Sequence, residues 1–100
     1  MLYHHCQTYK SAKKTLLDII NSCQQNIYLI GSGNNGKTYL INEVSDQINN
    51  SSRTVIIEPI SGLIIPNKNT IVELNNKEQL DEYNLNHGHV IIMETIKYTQ

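Results

Sequence analysis

Apolar positions fall along this chain in two rhythms. Between residues 8 and 24, Leu16, Leu17, Ile20 and Cys23 recur at helical spacing, with Tyr9 and Ala12 one or two turns earlier. Lys10, Lys13, Lys14 and Asp18 fall mostly on the other side, so the segment predicts an amphipathic helix packed by its apolar stripe. Ile27-Tyr28-Leu29-Ile30 is a short unbroken apolar run ending at Gly31, the pattern of a buried strand. After a Gly/Ser/Asn loop, Leu40, Ile41, Val44 and Ile48 line one helical face and fade into Asn49-Asn50-Ser51-Ser52. Residues 54–57 read as a second strand stopped by Pro59, and Thr70–Leu74 as a third. The stretch from Ile60 to Asn69 is ambiguous, a loop or a loop with a short strand at Leu63–Ile65. Asn75 and Asn76 are placed to cap a short helix over Lys77 to Tyr83. Leu85–Gly88 is a turn, and Val90–Met93 is the most apolar strand of the second half.

Helices alternating with strands in this order predict βαβ units. The expected fold is therefore a small three-layer αβα domain with a mainly parallel sheet of about four strands. At 100 residues the chain has room for one domain. That domain reads as a leading helix (8–24), a strand–loop–helix unit (26–48) and the remaining strands with a short helix (54–95).

Composition narrows the functions open to it. With 8 Lys+Arg against 9 Asp+Glu the net charge is −1, so the surface as a whole is not an electrostatic nucleic-acid binder. No stretch of 18 apolar residues or basic-then-apolar leader occurs, so neither a membrane span nor a secretory signal is expected. Cys6 and Cys23 lie too far apart for a metal knuckle and read as reduced thiols of a cytoplasm-like compartment. Fifteen Ile and 13 Asn beside a single Arg match an AT-rich coding sequence, which suggests a viral or parasite-like source. For a viral protein the host cytoplasm or nucleus is then the expected location.

The chemistry is concentrated in one stretch. Gly31, Ser32, Gly33, Asn34, Asn35, Gly36, Lys37 and Thr38 fit G-x-x-x-x-G-K-[ST] without a gap. Glycines let such a loop curl so that successive N–H groups point inward at an anion. Lys37 adds a cation able to reach the β and γ phosphates, and Thr38 a hydroxyl for Mg²⁺. The flanks suit the motif, with an apolar strand before it and an amphipathic helix after it.

With this P-loop the chain resembles a P-loop NTPase core. The leading helix followed by Asn26 to Thr38 is similar to the start of viral superfamily 3 helicase and related AAA+-type ATPase domains, the Asn-Gly-Lys-Thr ending especially so. The strong part of the match covers residues 26–48. The resemblance implies ATP and Mg²⁺ as ligands, hydrolysis coupled to a helicase-like or AAA+-like activity, and assembly as an oligomer. It leaves nucleic acid as a partner by resemblance alone. It also implies an acid at a neighbouring strand end, and the sequence offers Glu58, Glu73 and Glu94 as single acids with no Asp-Glu or Glu-Glu pair. Glu73, 36 residues after Lys37, is preferred on the Mg²⁺ side. Glu94 comes next, with Thr95 as the γ-phosphate sensor that the family carries on such a strand, and Glu58 last.

Asn67-Lys68-Asn69-Thr70 approaches the guanine-recognition motif but lacks its Asp, which favours ATP over GTP. The rival expectation is a truncated or degenerate module that binds nucleotide without turnover and serves as an interaction protein, its sheet completed by a partner chain. A small phosphotransferase is a third class, disfavoured by the single arginine. Other residues read blandly: His87 and His89 as a polar turn, His4-His5-Cys6 as a solvated end, and Arg53 as a surface charge at a strand start.

Overall fold

A computed structural model describes residues 1–33, 36–94 and 96. The chain order is β1 (Leu2–His5), α1 (Tyr9–Ser22), β2 (Ile27–Ile30), α2 (Lys37–Glu43), α3 (Ser45–Asn50), β3 (Thr54–Ile56), β4 (Thr70–Leu74), α4 (Glu78–Glu82) and β5 (His89–Ile92). The strands form one five-stranded sheet in the order β1-β5-β2-β4-β3, and every pairing is parallel. The fold is α/β as the alternation predicts, with one more strand than expected.

That extra strand is β1. His4 and His5, read from sequence as part of a solvated end, pair with Ile91 and Ile92 along the edge of the sheet. Only four residues long and largely exposed, β1 has no apolar run to announce it. Cys6, just beyond it, is buried and its backbone N–H donates to the Ile92 carbonyl at 3.1 Å. The Leu63–Ile65 segment, conversely, carries no strand.

Side-chain alternation along the strands builds two cores. Ile27, Leu29, Ile71 and Ile91 face the helices α1, α2 and α3, where they meet Ala12, Leu16, Leu40, Ile41, Val44 and Ile48. Tyr28, Ile30, Val72, Leu74, Val90 and Ile92 face the other way, against Leu80 of α4 and against Leu63, Ile65, Tyr83 and Leu85. Because β2 and β4 are covered on both faces, they are buried at every position, as near-continuous apolar runs require.

Helix α1 starts with a reciprocal cap. Thr8 Oγ1 accepts the Ser11 N–H at 3.0 Å, and Ser11 Oγ accepts the Thr8 N–H at 3.4 Å. The single helix expected after the loop is two, broken at Val44 with φ −104° and ψ 21°. No Gly or Pro stands there, yet the predicted apolar face of Leu40, Ile41, Val44 and Ile48 remains buried across the break. Helix α4 is shorter than the expected Lys77–Tyr83 and its N-cap position is Lys77; Asn76, one residue earlier, accepts the Gln79 N–H through Oδ1 at 3.2 Å.

Candidate functional site

The strands all point one way, so their carboxyl ends share one edge of the sheet, where ligands of open α/β sheets bind. A cleft of about 820 Å³ lies there, lined by Gly33, Gly36, Lys37, Thr38, Tyr39, Ile57, Glu58, Pro59, Glu73, Asn75 and Gln79. It joins the end of the glycine-rich loop, the first turn of α2, and the residues at and after the ends of β3 and β4.

The register decides which acid arrives. Tyr28 pairs with Val72, Leu29 with Glu73 and Ile30 with Leu74, so the loop leaves β2 beside the end of β4. Alternation puts Glu73 on the same face as Ile71, the face covered by α2. Thr38 in the first turn of α2 therefore meets it, donating its hydroxyl to the carboxylate at 3.0 Å from Oε1 and 2.8 Å from Oε2. Glu73 is only 7% exposed. Burial pushes its pKa up; the Thr38 bond and the Lys37 charge pull it down, and Glu58 pushes it up again.

Lys37 is 6% exposed and folds back on its own loop, its ammonium donating to the carbonyls of Gly31 and, at 3.2 Å, of Ser32. Burial lowers its pKa, opposed by the Glu73 charge. Gly36 precedes α2 at φ +85°, a left-handed conformation that favours glycine. The Gly31 N–H is already committed, donating to the Leu74 carbonyl at 3.1 Å.

Of the sequence candidates, Gly33, Gly36, Lys37, Thr38 and Glu73 come together in the cleft, and Glu58, placed last, lines it as well. Glu94 is exposed in the turn after β5, on the far side of β2 from β4, and is not among the cleft residues. Asn34, Asn35 and Thr95 lie outside the described residues. Tyr39, Ile57, Pro59 and Gln79 line the cleft although the sequence singled none of them out for the site. Gln79 accepts the Asn75 N–H at 2.6 Å, which fixes the polar wall beside Glu73. A polar residue one turn into the short helix after β4 was the available signal for it.

Asn69 and Thr70, from the near-match to a guanine motif, stand at the start of β4. Glu73 at its end is about 10 Å away along the strand. The Asn69 N–H donates to the Gln24 carbonyl at 2.9 Å, at the opposite edge of the sheet from the cleft.

Arg53 is the clearest departure from the sequence reading. It is not a surface charge: it is 7% exposed and donates to the carbonyls of Cys23 and, at 2.9 Å, Gln25. It ties the start of β3 to the turn between α1 and β2. Among the described residues, no helix is long and apolar enough to cross a membrane. Comparison with family models, curated proteins and solved structures finds no match to this chain.

Proposed function

We propose that this chain binds the phosphates of ATP with Mg²⁺ through the loop Gly31–Thr38, as a P-loop NTPase core does. The observation that carries the reading is the Thr38 hydroxyl held on both oxygens of a buried Glu73, with the Lys37 ammonium at the same mouth. A buried carboxylate against a hydroxyl, with Glu58 in the same cleft, is an all-oxygen donor set of the hard kind that suits Mg²⁺. Thr38 and Glu73 would hold the ion, whose contribution is to neutralise charge on the phosphate oxygens.

The chain's own residues do the rest. Lys37 exchanges the Gly31 and Ser32 carbonyls for phosphate oxygens, a stronger charge-assisted bond for a buried ammonium. Gly33 and Gly36 let backbone approach the anion without a Cβ in the way. Glu73, with Asn75 and Gln79 beside it, is the acid placed to orient an attacking water. Helicase-like coupling and an oligomeric assembly extend the same reading by resemblance to superfamily 3 and AAA+ domains.

The test is Mg²⁺-dependent ATP binding by calorimetry, paired with phosphate release, on wild type, Lys37→Ala and Glu73→Gln. Lys37→Ala is expected to weaken binding by at least tenfold, about 1.4 kcal/mol or more. Glu73→Gln is expected to abolish release and to reduce the Mg²⁺ dependence of binding, with the phosphate contacts of Lys37 retained. Binding by the wild type without release would favour the degenerate interaction module. A folded wild type that binds no nucleotide would overturn the reading.

A further inference from the structure

A second cluster lies at the amino-terminal edge of the sheet, away from the loop. His4 Nε2 and His89 Nδ1 are 3.0 Å apart, in rings that stack with centroids separated by 5.3 Å. The other nitrogen of His89, Nε2, is 3.8 Å from Cys23 Sγ, whose thiol also reaches the Ile19 carbonyl at 3.7 Å. Cys23 lines a polar cleft of about 520 Å³ together with Ser22, Ser52, Arg53 and Asn69. Arg53 is more than nine-tenths buried there, and its Nε has no hydrogen-bond partner; neither has the buried Asn69 Oδ1. Cys23, His89 and His4 thus stand in a line of three groups that can exchange protons.

We propose that Cys23 is a nucleophilic thiol, with His89 as its base and His4 as the group that orients the base, built to exchange with small disulfides that carry a carboxylate. The geometry is that of an activated nucleophile: thiol, base within reach, and a third group fixing the base. With its proton on Nδ1, His89 donates to His4 and turns a lone pair on Nε2 toward Cys23. Burial, reinforced by the nearby Arg53 and amino terminus, holds His89 below the usual histidine pKa, which favours the neutral form able to accept the thiol proton. The Arg53 guanidinium, anchored on the Cys23 carbonyl, places a fixed positive charge beside the partly exposed thiol. Its charge, at the wall of the cleft that Cys23 also lines, favours a disulfide that carries a carboxylate.

The exchange balances without a further reactant. Cys23 Sγ passes its proton to His89 Nε2 and attacks one sulfur of the disulfide. A Cys23 Sγ–S bond forms, the disulfide S–S bond breaks, and the leaving thiolate takes the proton from His89. Cys23 is oxidised to a mixed disulfide and the departing sulfur is reduced.

The experiment follows modification of the full chain by oxidised glutathione, resolved by peptide mass spectrometry into Cys23 and Cys6. Cys6, buried and with its thiol 3.8 Å from Thr15 Oγ1, is the internal control. In the folded chain Cys23 is expected to react at least about tenfold faster than in the same chain unfolded in guanidinium chloride, while Cys6 stays unmodified. His89→Gln is expected to lower that rate at least about tenfold with the circular dichroism spectrum retained. It should also remove a histidine inflection from the pH–rate profile. An uncharged disulfide, bis(2-hydroxyethyl) disulfide, is expected to react more slowly than oxidised glutathione. A folded-state rate at or below the unfolded one would overturn the proposal, as would an unchanged rate in folded His89→Gln. The folded-against-unfolded comparison needs no variant and stands even where His89→Gln fails to fold.

Discussion

At the scale of single residues, Glu73 shows how burial sets chemistry. A carboxylate with water on all sides ionises near pH 4. Glu73 lies in a strand buried at every position, on the face covered by α2, and burial raises its pKa above that value in the folded chain. A carboxyl whose pKa is raised by folding adds stability below its unfolded pKa, and that stability is lost as pH rises through the folded value. Glu73→Gln is therefore expected to raise the thermal midpoint of the nucleotide-free protein at pH 7–8, with no gain at about pH 4. Gln keeps an oxygen for the Thr38 hydroxyl, so the comparison isolates the charge. Thermal unfolding of both proteins across that range checks it, and a midpoint lowered equally at every pH would show a packing role instead. Glu73 was legible in sequence as an acid at a strand end; its burial and its two contacts with Thr38 were not.

At the scale of elements, turns and short connections fix where the strands begin. Asn26, just before β2, is 1% exposed and bonded on every side. Its Nδ2 donates to Tyr28 Oη at 3.0 Å and to the Pro66 carbonyl at 2.6 Å, and its Oδ1 accepts the Thr70 N–H at 3.0 Å. One amide thus aligns β2, β4 and the segment leading into β4. Asn26→Ala leaves a buried N–H and a carbonyl unpaired and is expected to cost about 2–3 kcal/mol, measured by denaturant unfolding. Gly88 has φ +125°, and a Cβ there would stand 2.5 Å from the Asn26 carbonyl oxygen and 3.2 Å from its carbon. Because the obstacle is backbone, it cannot swing aside. Gly88→Ala is expected to destabilise by at least about 2 kcal/mol, through both strain and clash. A loss under half of that would mean the turn into β5 relaxes freely. In the sequence Asn26 looked like one polar residue before a strand, and no local pattern marks it as a hub.

At the scale of the whole molecule, β1 closes one edge of the sheet. It covers the outer edge of β5 and carries His4 to His89. Removing residues 1–5 exposes a paired edge and is expected to lower the thermal midpoint and to produce concentration-dependent association, since an uncovered apolar strand is a template for pairing. Thermal unfolding and sedimentation at several concentrations test this, and an unchanged midpoint with a monomer throughout would count β1 as ornament to the sheet. The molecule also separates its chemistry by edge. The loop, Lys37, Thr38 and Glu73 gather at the carboxyl ends of the strands, while Cys23, His89, Arg53 and Asn69 gather at the amino ends.

The amino-acid sequence by itself determined what local pattern can determine. Apolar runs marked β2, β4 and β5, helical spacing marked α1 and the buried face of α2 and α3, and glycine spacing with Lys37-Thr38 marked the candidate site. Each of these is written within a few neighbouring residues. What the tertiary structure alone decided was every relation across the sheet. Strand order put β4 rather than β3 beside β2, and register with alternation then chose Glu73 for Thr38 and left Glu94 outside the cleft. Pairing turned an exposed His-rich end into β1, and packing turned Arg53 from a surface charge into a buried clasp. Such relations join residues dozens of positions apart, and no periodicity within a segment encodes them, because they arise only when separate segments compete to bury the same apolar faces.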